Sequence, residues 1–211
     1  MPGRKFTGKA GYRMVKMVVI GASAGGFTAL DAIIPALPGD FPLPIAIVQH
    51  TGRDSSDYLV KYLNDHSKLT VKEAEDKEPV RRGFVYLAPG GYHLLIDPEE
   101  SFSLSVDERV NYSCPSIDVL FESAADVWGP LVIGMLLTGA NKDGAQGLKT
   151  IREHGGIAIV QNPETAEVGI MPQSALSITP VDYVINLDQM VPLLMTLAHA
   201  RQGGGYEASN I

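Results

Sequence analysis

The chain has 211 residues, 45% of them hydrophobic, and its 24 acidic and 17 basic side chains give a net charge of −7 at pH 7. This length and composition predict one globular domain with a sizeable core, and the acidic balance argues against nucleic-acid binding as its main role. The single cysteine, Cys114, excludes an intrachain disulfide and is typical of a reducing compartment. The cysteine content therefore predicts a cytoplasmic protein. No stretch is apolar over a membrane-spanning length, so we expect no membrane insertion.

Apolar segments alternate with segments of helical periodicity along the whole chain. This alternation predicts an α/β fold with a doubly wound, mostly parallel β-sheet and helices on both faces. The predicted strands comprise residues 17–20, 45–50, 84–88, 131–138, 157–161 and 183–187. The predicted helices comprise residues 27–34, 56–64, 116–128, 144–154, 172–177 and 190–200.

Three further predictions concern one edge of the sheet and the two ends of the chain. Residues 92–96 and 102–106 flank a turn-forming segment and predict an antiparallel hairpin at one edge of the sheet. Residues 1–16 hold five basic side chains, no acidic one and no apolar core, which predicts a flexible basic leader rather than a secretory signal. The globular domain is expected to span residues 17–201, and residues 202–211, with three consecutive glycines, are expected to be disordered.

A glycine-rich turn follows the first predicted strand. Gly21, Ser23 and Gly25 form a G-x-S-x-G sequence between a strand and a helix, which is the pattern of a nucleophile elbow. The glycines, with Gly26, let the backbone bend sharply and leave the serine beside unpaired helix N–H groups. A dinucleotide-binding fingerprint would need glycine in place of Ser23, which argues against phosphate binding. From this segment alone, helix capping by Ser23 and catalysis are both open.

Two more polar residues follow predicted strands. His50 ends the second strand, and Asp143 lies at a helix start in the loop after residues 131–138. Because ligands bind at the carboxyl ends of parallel strands, Ser23, His50 and Asp143 are expected to meet at one rim of the sheet. Each residue has a structural alternative, since histidines end strands and aspartates cap helices. Their joint occurrence favours a catalytic triad, in a chain order that differs from that of α/β-hydrolases.

Sequence blocks between residues 18 and 194 resemble the catalytic domain of the chemotaxis protein-glutamate methylesterase (CheB) family. Their order and spacing along the chain make the resemblance specific. The blocks are Gly-Ala-Ser-Ala-Gly-Gly at 21–26, Gln49-His50, Val-Lys-Glu-Ala-Glu-Asp at 71–76, Ala-Pro-Gly at 88–90 with His93, Pro-Ser-Ile-Asp-Val-Leu-Phe at 115–121, Leu-Thr-Gly at 137–139 with Asp-Gly-Ala at 143–145, and Gln161-Asn162 with Met171-Pro172.

The resemblance implies a serine esterase that hydrolyses γ-glutamyl methyl esters on the cytoplasmic helices of methyl-accepting chemoreceptors, with glutamine deamidation as a secondary activity. It implies Ser23 as nucleophile, His50 as general base and then acid, and Asp143 as the residue that orients the imidazole. It also implies an oxyanion hole of backbone N–H groups near Ala24 and Ala140, and no metal or cofactor. The positions carried over as supporting residues are Gly25, Gly26, His93, Thr138, Gly139 and Asn141.

The chain departs from the family pattern in three respects. Ala140 and Asn141 stand where the family usually has methionine and glycine, and Cys114 stands where many relatives have arginine. The best-known relatives also carry a phosphorylatable receiver domain ahead of the esterase domain. We therefore expect a stand-alone domain that is either permanently unmasked or regulated by a separate receiver or signalling protein. The alternative function is a CheB-like binding module without catalysis, whereas Cys114 is a weak candidate nucleophile because no histidine is predicted beside it.

Overall fold

The structure is a computed structural model that describes residues 15–50 and 56–200. Its strands are β1 Met17–Ala22, β2 Ile45–Gln49, β3 Thr70–Glu73, β4 Phe84–Leu87, β5 His93–Ile96, β6 Phe102–Ser105, β7 Val132–Leu136, β8 Ile157–Gln161 and β9 Tyr183–Ile185. Its helices are α1 Gly26–Ile33, α2 Ser56–His66, α3 Ile117–Trp128, α4 Ala145–Glu153, α5 Ile170–Ile178 and α6 Leu187–Ala200.

Seven strands form one parallel sheet in the order β3-β4-β2-β1-β7-β8-β9. The chain runs outward from β1 through β2 on one side and returns to β7 on the other side, so the strand order reverses at β1. In open α/β sheets this reversal opens a crevice beyond the carboxyl ends of the central strands. The predicted α/β, doubly wound parallel fold is thus confirmed, and the loops after β1, β2 and β7 surround the expected crevice.

Helices cover both faces of the sheet, which explains why the central strands are apolar at consecutive positions. One core lies beneath α1, α2 and α6 and takes Val18 and Ile20 from β1. The other core lies beneath α3, α4 and α5 and takes Met17 and Val19 from the same strand. No helix in residues 15–50 or 56–200 has the length and apolar character needed to cross a bilayer.

Three features differ from the sequence-based expectations. Strand β3 was not predicted, because it is a four-residue edge strand with an exposed first residue and only one buried position. The predicted hairpin exists as β5 and β6, but it forms its own two-stranded sheet against α3 instead of extending an edge of the main sheet. Its second strand hydrogen bonds to the segment before β4, where Lys77 N–H donates to Phe102 O over 2.8 Å.

The expected boundary at residue 17 also differs from the structure. Val15 is buried in the first core, and Lys16 N–H donates to Leu131 O over 2.8 Å. These contacts attach residues 15 and 16 to the folded domain. The remainder of the expected leader, residues 1–14, and the expected tail, residues 202–211, lie outside the described residues.

Helices α3 and α4 approach each other closely at Gly147. A Cβ atom on this residue would lie 2.6 Å from Phe121 Cβ and 3.0 Å from the backbone of Asp118, closer than packed carbon atoms tolerate. Gly147 N–H also donates to Asp118 Oδ1 over 2.7 Å. The absence of a side chain therefore sets the distance between the two helices.

We predict that Gly147→Ala lowers the free energy of unfolding by about 1–3 kcal/mol, because the added methyl group must push α3 away from α4. Urea denaturation measures this change. Gly39→Ala is the control, since a Cβ there would meet only ordinary contacts at 3.5 Å to Lys68. Equal stability of the two variants would show that the helices are not in close contact at Gly147.

Candidate active site

Ser23 and His50 lie side by side at the carboxyl edge of the sheet. The last residue pair between β1 and β2 is Ala22 with Gln49, so Ser23 and His50 are the next residues on neighbouring parallel strands, which run about 4.8 Å apart. His50 N–H donates to Ala22 O over 3.0 Å and extends the pairing to this point. The fold therefore brings a serine and a histidine together across one strand spacing.

The turn after β1 orients the backbone of Ser23. Its carbonyl oxygen accepts hydrogen bonds of 2.8 Å from Gly26 N–H and from the side-chain amide of Gln49. The N-cap of α1 is Gly25, with φ of 77°, and no side chain caps this helix. The capping alternative for Ser23 is therefore wrong, and its hydroxyl makes no hydrogen bond within residues 15–50 and 56–200.

The imidazole of His50 is held by Asp143. Nε2 donates to Asp143 Oδ2 over 2.8 Å, and the histidine side chain is 13% exposed whereas that of Asp143 is fully buried. This bond fixes the tautomer with its proton on Nε2, so Nδ1 carries the lone pair that can accept a proton. The side-chain amide of Asn141 lies 3.5 Å from Nδ1 and hydrogen bonds weakly to it.

The carboxylate of Asp143 faces the beginning of α3. Oδ2 accepts Ile117 N–H over 2.7 Å, and Oδ1 accepts the Ser116 hydroxyl over 2.7 Å and Asp118 N–H over 3.2 Å. A helix N-terminus stabilises negative charge through its free N–H groups and its dipole. Burial raises the pKa of Asp143, but the hydrogen bonds from His50, Ile117 and Ser116 outweigh burial and hold the pKa below its usual value. Asp143 thus stays ionised in a buried position.

A second buried carboxylate, Asp118, lies behind Asp143. The side-chain amide of Asn111 joins the two, donating to Asp118 Oδ2 over 2.7 Å and to Asp143 Oδ1 over 3.3 Å. Burial raises the pKa of Asp118 to about 6, with a backbone hydrogen bond from Gly147 opposing burial and the charge of Asp143 reinforcing it. No sequence pattern pointed to Asn111. Ser116 and Asp118 lie in the block at 115–121 that carries the family resemblance, but the sequence assigned neither residue a role.

The loop after β7 is joined to the serine turn through Thr138. Thr138 O accepts Ser23 N–H over 3.0 Å, and its hydroxyl donates to Ala24 O over 2.8 Å. The next residue, Gly139, is buried against Met171, whose sulfur would lie 2.7 Å from an added Cβ. These contacts keep the two loops at a fixed separation on either side of the rim.

Two backbone N–H groups in these loops are candidates for an oxyanion hole. Ala24 and Ala140 are both exposed, and neither N–H donates a backbone hydrogen bond within the described part of the chain. Such unpaired donors suit a developing negative charge on a substrate oxygen. Asn141 follows directly, and its side-chain oxygen accepts Asp143 N–H over 3.1 Å.

His93 lies outside the group formed by Ser23, His50 and Asp143. It is buried on β5, where Nδ1 accepts Ser116 N–H over 3.2 Å and Nε2 donates to Glu108 O over 3.1 Å. His93 therefore supports the start of α3 and does not contact the reacting residues.

A cleft of about 630 Å³ opens beside His50. Its other wall is the segment that connects β6 to α3, including Arg109, Tyr112 and Cys114. Cys114 is half-buried in this wall. Within residues 15–50 and 56–200, no group of three or more His, Cys, Asp or Glu side chains is placed to hold a metal ion.

Comparison with known proteins identifies the family of this chain. Residues 18–194 match the family model described as CheB methylesterase. The chain belongs to the CheB methylesterase family. Its structure also resembles the crystal structure of the Thermotoga maritima CheB methylesterase catalytic domain, with a TM-score of 0.84 and 39% sequence identity over 88% of this chain and 100% of that one.

Curated relatives of this family differ in length. A protein from Leptospira interrogans is 52% identical over 180 residues, which cover 85% of this chain and 93% of that protein. Relatives from Carboxydothermus hydrogenoformans and Thermotoga maritima, 47% and 41% identical, are named protein-glutamate methylesterase/protein-glutamine glutaminase. The match covers 82% and 81% of this chain but only 52% and 50% of theirs, so these two CheB proteins are about twice as long as the shared domain.

We predict that Asp143→Asn lowers ester turnover by about 10⁴, because an amide donates where Nε2–H needs an acceptor and the imidazole then adopts the wrong tautomer. Steady-state hydrolysis of an activated ester measures the loss, and circular dichroism checks that the variant is folded. Asp65→Asn, at an exposed position of α2, is the control. Turnover within tenfold of the parent in Asp143→Asn would exclude a catalytic role for this carboxylate.

A second prediction concerns the pH dependence of stability. Because the folded-state pKa of Asp118 is about 6 against the usual 3.8, this group contributes stability below pH 3.8 that is lost as the pH rises to 6. Asp118→Asn removes this titration. The free energy of unfolding of the parent, relative to that of Asp118→Asn, should therefore fall by about 2 kcal/mol between pH 4 and pH 7. Urea unfolding of both proteins at several pH values provides the test. If the free energies of unfolding of the two proteins changed in parallel with pH, the pKa of Asp118 would not be raised.

Proposed function

We propose that this protein is a serine esterase that hydrolyses γ-glutamyl methyl esters of chemoreceptors and so acts in chemotaxis adaptation. The observation that carries the proposal is the 2.8 Å hydrogen bond between His50 and Asp143, next to Ser23 on the adjacent strand. Membership of the CheB methylesterase family and the names of the relatives support the same activity.

In the first half-reaction, Ser23 Oγ attacks the ester carbonyl carbon while His50 Nδ1 accepts the hydroxyl proton. The N–H groups of Ala24 and Ala140 donate to the oxygen that becomes negatively charged. Collapse of the tetrahedral intermediate breaks the bond to the methoxy group, which leaves as methanol with the proton from His50. A glutamyl ester of Ser23 remains.

In the second half-reaction, His50 Nδ1 accepts a proton from water, and the resulting hydroxide attacks the acyl-enzyme. Ser23 leaves with the proton returned by His50, and the substrate is released as glutamate. Asp143 stays ionised throughout, because the donors at the start of α3 stabilise its charge, and it offsets the charge of the imidazolium. A glutamine side chain can follow the same path with ammonia as the leaving group, which accounts for a deamidase activity.

The proposed substrates are the cytoplasmic helices of methyl-accepting chemoreceptors, which places the protein in the cytoplasm without membrane insertion. The proposed catalytic domain spans residues 15–201, which is the expected range 17–201 extended by the two residues that the structure attaches to it. A separate receiver or signalling protein is a proposed regulatory partner. No nucleic acid takes part in this scheme.

We predict that Ser23→Ala or His50→Ala lowers methanol release from a methylated receptor fragment by about 10⁶, since the triad acts as one unit. Ser177→Ala, at an exposed position of α5, should retain parent activity. Methanol release at the parent rate by Ser23→Ala would refute the proposed nucleophile.

Labelling with a fluorophosphonate distinguishes the esterase from a CheB-like binding module. An activated serine reacts with this probe, so mass spectrometry should find the adduct on Ser23 in the parent and none on this residue in His50→Ala. A parent protein that binds receptor helices but neither takes up the label nor releases methanol would be the binding module instead.

A further inference from the structure

A tight turn stands at the edge of the cleft beside His50. Residues 110–113 form a two-residue hairpin, in which Val110 N–H donates to Ser113 O over 3.1 Å and Ser113 N–H donates to Val110 O over 2.8 Å. The central residues Asn111 and Tyr112 have φ of 49° and 64°, both left-handed. Positive φ at both central positions is the feature of type I′ turns, which favour asparagine and glycine.

The two central residues of the 110–113 turn face opposite ways. The amide of Asn111 points inward and hydrogen bonds to the carboxylates of Asp118 and Asp143. The side chain of Tyr112 points outward, with the residue 94% exposed, and yet it lines the same cleft as His50. The turn therefore places a tyrosine on the wall of the cleft, and Asn111 anchors that turn to the triad carboxylate.

Protein stability does not explain a tyrosine at this position. A bulky residue with φ of 64° is strained, and glycine would adopt the same conformation without cost. A ring that is almost fully exposed gains no burial in return. Exposed aromatic residues beside a cleft are characteristic of binding surfaces, where they bury a large area at a small loss of conformational entropy.

We propose that Tyr112 is a specificity-determining residue that packs against the polypeptide flanking the glutamyl methyl ester. The inference rests on the proposed esterase function and names a contact for its substrate. Val106, which is 77% exposed, lines the same cleft and adds apolar surface to it. The cleft of about 630 Å³ is far larger than one esterified side chain, so neighbouring residues of the substrate have room to enter it.

Another aromatic surface offers a competing docking site. Phe27, Tyr58 and Tyr62 pack against one another on α1 and α2, with ring centroids 4.9–6.2 Å apart, and Tyr58 is 65% exposed. These rings already bury part of their area against each other, and none of them lines the cleft beside His50. Tyr112 lines the same cleft as His50, which favours it over this cluster.

The experiment compares two substrates and four variants of the full chain. Tyr112→Gly removes the ring and keeps the left-handed turn, and Tyr112→Phe keeps the ring. Tyr58→Ala tests the competing surface, and Tyr183→Ala, at the amino end of edge strand β9, is the control. The substrates are a methylated receptor fragment and p-nitrophenyl acetate, which carries no flanking polypeptide.

We expect Tyr112→Gly to raise KM for the receptor fragment roughly tenfold and to leave kcat/KM for p-nitrophenyl acetate within about twofold of the parent. Tyr112→Phe should restore the parent KM, and the Tyr58 and Tyr183 variants should behave like the parent. An unchanged KM in Tyr112→Gly, an equal loss on both substrates, or a raised KM in Tyr58→Ala alone would overturn the assignment. A parent protein inactive on both substrates would overturn the esterase proposal itself, and with it the role of Tyr112.

Discussion

The site depends on one contact, in which the buried carboxylate of Asp143 meets the first N–H groups of α3. Five donors surround this carboxylate, and the two backbone N–H groups among them belong to Ile117 and Asp118. A buried carboxylate without such partners would take up a proton, or its charge would destabilise the fold. Because the donors hold the charge, Asp143 can fix the tautomer of His50 and leave Nδ1 available beside Ser23.

This contact links the site to distant parts of the chain. His93 on β5 holds Ser116 at the beginning of α3, and Gly147 allows α4 to approach closely enough to donate to Asp118. Asn111 extends the same network to the turn at the mouth of the cleft. The separate hairpin and the α3–α4 contact therefore support the chemistry even though none of their residues touches the reacting atoms. The same network buries a second carboxylate, that of Asp118, and burial raises its pKa above the usual value.

The sequence predicted those parts of the site that follow strands. Ser23 and His50 come directly after apolar segments, and the carboxyl ends of parallel strands share an edge, so their proximity follows from the fold class. The donors from α3 could not be predicted, because Asp143 accepts N–H groups of a helix that lies earlier in the chain, whereas the helix that follows it has Gly144 as N-cap. Asn111 was not predicted because the 110–113 turn lacks the usual Asn-Gly signal. Strand β3 was not predicted because a short edge strand needs no apolar run.

The state of His50 tests the central claim most directly. Nitrogen-15 NMR of histidine-labelled protein distinguishes a protonated from an unprotonated ring nitrogen, and one position can be assigned by comparison with His50→Ala. The account predicts that neutral His50 carries its proton on Nε2, hydrogen-bonded to Asp143, and that this tautomeric preference is lost in Asp143→Asn. A proton on Nδ1 in the parent protein would contradict the account, since the lone pair would then lie on Nε2, which faces Asp143, and Nδ1 could not accept the proton of Ser23.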